Sequence, residues 1–215
     1  MASILTVTLE TDGVTLPGDL DVPGAARGIV VFAHGSGSSR LSPRNRAVAA
    51  GLTRAGFGTL LFDLLTAEEE RRDARDAALR FDIALLTRRL TAVTGWLDEQ
   101  AATRDLPLGL FGASTGAAAA LATAARRRDR VGAVVSRGGR PDLAGEALKQ
   151  VRAAVLLIIG QQDPQVLPPN FAARRDLPPD TELAIIEGAG HLFEEPGALD
   201  QVTALAGQWF TRHLA

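Results

Sequence analysis

Leu5, Val7 and Leu9 alternate with Thr6, Thr8 and Glu10, and Val14, Leu16, Leu20 and Val22 resume the same period of two after Thr11-Asp12-Gly13. Alternation on either side of an Asp-Gly turn predicts a β-hairpin with one buried face. Beyond residue 27 the pattern changes. Apolar runs without alternation occupy 28–33, 58–62, 106–111, 131–135, 153–159 and 183–186. Such runs suit strands covered on both faces, as in a parallel sheet. Between them Leu79, Ile83, Leu86, Leu90, Val93 and Leu97 recur at spacings of four and three, which predicts a helix packed on the sheet. Leu199, Val202, Leu205, Trp209 and His213 mark a similar last helix. The pattern reads as one α/β domain over residues 1–215: a mostly parallel sheet flanked by helices, opened by an antiparallel hairpin.

Composition narrows the function. The chain has 215 residues, 46% hydrophobic and 22% charged, with a net charge of −2. There is no basic excess for a nucleic-acid backbone and no run of 18 apolar residues to span a bilayer, so neither partner is expected. Cysteine is absent, which removes disulfides, thiolate nucleophiles and Cys-based metal sites. The only lysine, Lys149, lies outside any glycine-rich loop, so a phosphate-cradling GxxxxGK[ST] is excluded. The first ten residues have neither a charged n-region nor a long apolar core, so a cytoplasmic protein is expected.

In open α/β sheets, ligands bind beyond the carboxyl ends of the strands. There the sequence places Gly112-Ala113-Ser114-Thr115-Gly116, a G-x-S-x-G between a strand and an Ala-rich helix. A serine on such a sharp turn exposes its hydroxyl, and the helix N-terminus offers free N–H groups to developing negative charge. The hydroxyl needs a base. Of three histidines, His34 precedes a Gly-rich loop and reads as structural, His213 in the last helix reads as solvent-facing, and His191 in Gly188-Ala189-Gly190-His191 follows a strand. Asp163, in Gly160-Gln161-Gln162-Asp163-Pro164, also follows a strand and suits the acid that orients an imidazole. The chain order Ser114, Asp163, His191, each after its own strand, differs from the orders in the two large serine-protease folds. His34-Gly35-Ser36-Gly37-Ser38-Ser39 can aim the N–H of Ser36 or Gly37 at an oxyanion, together with the N–H of Thr115. Arg40 stands where a dinucleotide-binding G-x-G-x-x-G needs its last glycine, and no H-E-x-x-H exists, so neither a dinucleotide nor a catalytic metal is expected.

With these motifs the chain resembles an α/β-hydrolase, specifically the small dienelactone hydrolase-like members, from the opening hairpin through the HGSGSS, GASTG, GQQD and GAGH segments. The resemblance implies Ser114 as nucleophile, Asp163 as acid and His191 as base, with no cofactor. Ser114 stands where the founding dienelactone hydrolases carry cysteine. Only residues 136–152 separate two strands where many relatives insert a lid, so a small soluble ester or lactone is the expected substrate. Arg137 and Arg140, after a strand, are candidates for a substrate carboxylate, or else arginines that tie the loop to a neighbour such as Asp163 or Asp142. Glu68-Glu69-Glu70-Arg71-Arg72-Asp73 reads as a solvated loop or a flap near the site. A thioesterase, amidase or perhydrolase on the same triad, and a non-catalytic binding module of this fold, are the alternatives. Nothing in the sequence fixes the oligomeric state.

Overall fold

The computed structural model describes residues 4–214; Met1–Ser3, part of the segment inspected for a leader, and Ala215 lie outside it. Strands β1 (Leu5–Thr11) and β2 (Val14–Asp21) form the expected hairpin, with Leu9 opposite Leu16. Asp12 and Gly13 both take positive φ, 51° and 77°, the geometry that lets a two-residue turn follow the twist of its strands.

The chain continues through β3 (Ile29–Ala33), α1 (Pro43–Arg54), β4 (Gly58–Phe62), α2 (Ala67–Asp76) and α3 (Ile83–Glu99). Then come β5 (Leu108–Ala113), α4 (Thr115–Arg126), β6 (Val131–Arg137), β7 (Ala154–Gly160), α5 (Leu167–Ala173), β8 (Glu182–Ile186) and α6 (Ala198–Leu214). The eight strands form one sheet in the order β1-β2-β4-β3-β5-β6-β7-β8. β1 and β2 run antiparallel to their neighbours, and β3 to β8 are parallel.

Both faces of the sheet are covered, which is why β3, β4 and β5 are buried along their whole length. On one face Leu86, Leu90 and Val93 of α3 and Ala120 and Leu121 of α4 pack on Val31, Leu110 and Val134. On the other, Leu52 of α1 and Val202, Trp209 and Phe210 of α6 pack on Val30, Phe111 and Val135. Between β6 and β7 runs only a 3₁₀ stretch, Pro141–Gln150, broken at Gly145.

Three details depart from the sequence reading. Leu79 lies in a separate 3₁₀ turn, Leu79–Phe81, and α3 begins after Asp82, whose carboxylate accepts the Leu85 N–H at 2.9 Å. An N-cap this well placed starts the helix four residues later than the apolar stripe does. His213 is half-buried rather than solvent-facing, its ring against Trp209 with centroids 4.2 Å apart. Residues 68–73 are helical: Thr66 and Glu69 form a reciprocal capping box, and α2 follows.

Candidate active site

Ser114 sits at the junction of β5 and α4 with φ 51° and ψ −122°. A non-glycine residue rarely holds that conformation, and where one does the strain is often at a working site. Its backbone is fixed on both sides: the Ser114 N–H donates to the Arg137 carbonyl at 3.2 Å, and its carbonyl accepts the N–H of Ala117 and of Arg140, each at 3.1 Å. A Cβ on Gly116 would come within 2.2 Å of the Ala33 carbonyl oxygen. Glycine there lets the first turn of α4 press against the end of β3, and this brings the elbow beside the loop at 34–40.

That loop is tied down at several points. The buried His34 ring accepts the Leu64 N–H at Nε2, 2.9 Å, and its Nδ1 faces the Gly35 carbonyl at 3.0 Å, so the neutral ring carries its proton on Nδ1. Burial pushes the His34 pKa down, against the upward pull of the Gly35 carbonyl and of Asp63. Asp63, at the end of β4, accepts the Arg40 N–H at 2.6 Å and the Arg40 Nη1 at 2.5 Å. Ser36 Oγ lies 3.1 Å from Thr115 Oγ1, joining the loop to the elbow.

Asp163 and His191 meet. The His191 Nδ1–H donates to Asp163 Oδ2 at 2.5 Å, with the carboxylate buried and the imidazole 41% exposed. The loops that carry them are stitched together: Gln162 N–H donates to the Ala189 carbonyl at 2.9 Å, and Gln161 Oε1 accepts the Gly188 N–H at 3.0 Å. A Cβ on Gly138 would lie 3.5 Å from His191 Nδ1, so the imidazole rests over the end of β6, one residue beyond the carbonyl that holds Ser114. Among the described residues the Ser114 hydroxyl makes no hydrogen bond.

A cavity of about 510 Å³ opens beside the elbow, lined by Thr115, the 34–39 loop, Leu41, Arg44, Leu64 and Leu65 and, from α2 and the turn after it, Glu70, Asp73 and Arg80. The charged stretch of α2 is therefore a wall of the cavity. It is anchored by the bidentate pair of Glu69 with the buried Arg89, whose Nη1 also donates to the Leu64 carbonyl. Arg89 holds the Glu69 carboxyl below its usual range. Glu70, facing the cavity, is pushed up by burial and by Asp63 and Asp73.

The two arginines expected at the substrate behave differently. Arg140 is engaged by Asp142 through two hydrogen bonds, 2.8 and 2.7 Å. Arg137 is buried over the Phe111 ring, 5.9 Å from its centroid. Arg80, which lines the cavity, carries no motif in the sequence. Asp73, itself buried, accepts the N–H of Leu79 and of Arg80 and the Arg80 Nε, while its carbonyl accepts Nη2. That leaves Nη1 beside the 34–40 loop, 4.0 Å from where a Cβ of Gly37 would stand. Seven residues of separation gave no periodic signal for this pair. Among the described residues no cluster of three or more His, Asp or Glu side chains is arranged to hold a metal, and no helix is long and apolar enough to cross a membrane.

Comparison with known proteins places the chain in a family and identifies its fold. Residues 26–206 match the family model described as an alpha/beta hydrolase domain. A solved dienelactone hydrolase from Anabaena variabilis superposes with a TM-score of 0.96 at 53% identity, over 100% of this chain and 99% of that one. Est1E from Butyrivibrio proteoclasticus shares the fold alone, with a TM-score of 0.80 at 17% identity over 98% of each chain. A Mycobacterium tuberculosis protein with a provisional phosphoribosyl transferase name is 59% identical over 201 residues, 94% of this chain and 44% of its own length. The chain thus spans less than half of that curated relative.

Proposed function

The chain belongs to the alpha/beta hydrolase domain family, and we propose that it is a serine hydrolase that cleaves a small carboxylic ester or lactone through an acyl-enzyme. The observation that carries this reading is the 2.5 Å hydrogen bond from His191 to the buried Asp163, on stitched loops beside a serine in strained elbow geometry. A carboxylate that accepts Nδ1–H leaves Nε2 unprotonated, the form a general base needs.

In this reading Ser114 Oγ attacks the ester carbonyl as His191 Nε2 takes its proton. The N–H of Thr115 and that of Ser36 or Gly37 hold the oxyanion, and the alcohol leaves with the proton from His191. Water then attacks the acyl-enzyme by the same steps in reverse roles. Asp163 stabilises the imidazolium that forms. The cavity, lined by Ser36, Ser38, Ser39 and Ser42 together with Leu41, Leu64, Leu65 and Leu86, is of a size that suits a small acyl group. The transferase name of the mycobacterial relative describes a protein of which this chain covers 44%, and nothing at the elbow favours phosphoribosyl transfer here.

A fluorophosphonate label followed by intact mass and peptide mapping tests the proposal on wild type and Ser114→Ala. A single adduct on Ser114, absent from the variant, is the expected result, together with ester hydrolysis that the variant loses. Hydrolysis retained by purified Ser114→Ala would remove Ser114 from the mechanism. Thioester and amide substrates with the same acyl group, compared by kcat/KM, would rank the chemistries open to one triad.

A further inference from the structure

Two arginines among the described residues are buried, Arg89 at 2% exposure and Arg137 at 8%. Arg89 has Glu69. Among the described residues the Arg137 guanidinium has no carboxylate and makes no hydrogen bond, and its Nη1 is shut off from solvent without a partner. Its charged neighbour is another arginine, Arg44, whose own Nε is also buried and unpartnered while its Nη1 is spent on Glu194 at 2.7 Å. One positive charge is left uncompensated. The face of Phe111 offsets only part of the cost of drying a guanidinium. Burial, with Arg44 adding to it, holds Arg137 down to about 10, so it is still a cation at neutral pH.

The place is as telling as the missing partner. Arg137 ends β6, at the carboxyl edge of the sheet; its carbonyl holds the Ser114 N–H, and the next residue, Gly138, packs on His191. Arg44 lies in the first turn of α1 and lines the cavity beside the elbow.

We propose that Arg137 and Arg44 form a binding site for a small monovalent anion, halide or carboxylate in kind, separate from the ester that Ser114 attacks. With the arginine only 8% exposed, the guanidinium suits a compact free ion better than a substituent on a bulky substrate. The bound ion supplies the counter-charge that the fold omits, and it fixes the end of β6 from which Ser114 and His191 are both held. Binding of the ion does not rest on the hydrolase reading.

The test uses the whole chain in sodium HEPES, whose bulky sulfonate is neither halide nor carboxylate, exchanged at constant ionic strength for chloride or acetate. Wild type is expected to show a saturable rise in Tm, and crystals soaked in bromide an anomalous peak within about 3.5 Å of the Arg137 guanidinium. Arg137→Met, which removes the charge but keeps a long side chain, is expected to lose the titration and to match or exceed the wild-type Tm in HEPES alone. Arg44→Met is expected to weaken the ion by about tenfold, as loss of a charge-assisted contact does, and it keeps the test alive if Arg137→Met does not fold. Identical, non-saturable responses in wild type and variants, with no bromide peak, would overturn the site. So would a strong preference for p-nitrophenyl hemisuccinate over p-nitrophenyl acetate that collapses in Arg137→Met with no bromide peak, because the charge would then belong to substrate. Failure of fluorophosphonate labelling would sink the hydrolase reading and leave the Tm and bromide results standing.

Discussion

Ser36 Oγ and Thr115 Oγ1 lie 3.1 Å apart, so the 34–40 loop and the Ser114 elbow, whose backbone N–H groups are the proposed oxyanion donors, are joined side chain to side chain across 79 residues of sequence. The separation of those N–H groups decides how well both reach one oxygen, and a donor misplaced by a fraction of an ångström loses much of its worth. Thr115→Val keeps the shape and the N–H but removes the hydroxyl. The expected loss is roughly 1 kcal/mol, or about fivefold in kcat, with KM little changed. Thr115→Ser should restore the rate. Steady-state kinetics on a neutral ester decide it, and a fall confined to KM would mean that the contact shapes binding instead.

Asp163 and His191 lend themselves to an isosteric test. Asp163→Asn offers an N–H or a carbonyl in place of a carboxylate, so the imidazole loses its counter-charge and turns toward the wrong tautomer. In a serine protease the same change costs about 10⁴ in kcat while geometry survives. A loss of roughly 10³–10⁴ is expected here, with far-UV circular dichroism unchanged. A loss below tenfold would leave Asp163 as a loop-forming residue and would require another acid for His191.

The sheet and the order Ser114, Asp163, His191 were legible because both are written locally. Unbroken Val/Ile/Leu runs mark strands covered on two faces, and each candidate residue follows its own run. The rest depends on contacts that sequence does not display. Helix α2 is so charged that no apolar stripe betrays it. Its start was nonetheless encoded in Thr66 and Glu69, whose spacing is that of a capping box, and its anchoring in Arg89 is visible only once α3 is folded. Arg137 and Arg140 looked equivalent in one short segment. Register separates them: Arg137 pairs with Ala113 as the last residue of β6 and is buried, while Arg140 lies in the following turn and closes on Asp142. Arg80 was invisible for a related reason, since it is Asp73 that aims it.

His34 makes the fold sensitive to acid. Burial lowers its folded pKa below the ordinary value of 6.5, and its Nε2 must stay unprotonated to accept the Leu64 N–H. The unfolded chain therefore binds this proton more readily than the folded one. The stability that neutral His34 provides is complete above pH 6.5 and falls as pH drops below 6.5, at a limiting slope of about 1.4 kcal/mol per pH unit, until the folded ring also titrates. Urea denaturation from pH 7.5 to 5, comparing wild type with His34→Gln, isolates this group from His191 and His213. The wild-type curve should fall more steeply than the variant's. Parallel curves would show that His34 is protonated as easily folded as unfolded.

Gly116 sets a close backbone approach between α4 and the end of β3. In most helices Gly→Ala gains roughly 1 kcal/mol, because alanine loses less backbone freedom on folding. At 116 the added Cβ would lie 2.2 Å from the Ala33 carbonyl oxygen and 2.5 Å from that of His34, and both are backbone atoms with no side-chain freedom to yield. Something must move, either α4 away from β3 or β3 together with the loop that follows it. Each alternative separates Thr115 from Ser36 and breaks the register of elbow and loop. Gly116→Ala is therefore expected to lose stability by about 2–4 kcal/mol, the range of severe overpacking in a tight core, and to lose esterase activity even in the fraction that folds. Thermal unfolding and active-site titration with a fluorophosphonate, run on the same preparation, measure both losses. As a control, Gly95→Ala, on α3 with open space at its Cβ position, should gain stability and keep full activity. If Gly116→Ala behaved like Gly95→Ala, the contact between α4 and β3 would be looser than a 2.2 Å approach implies, and the strain at Ser114 would need another source.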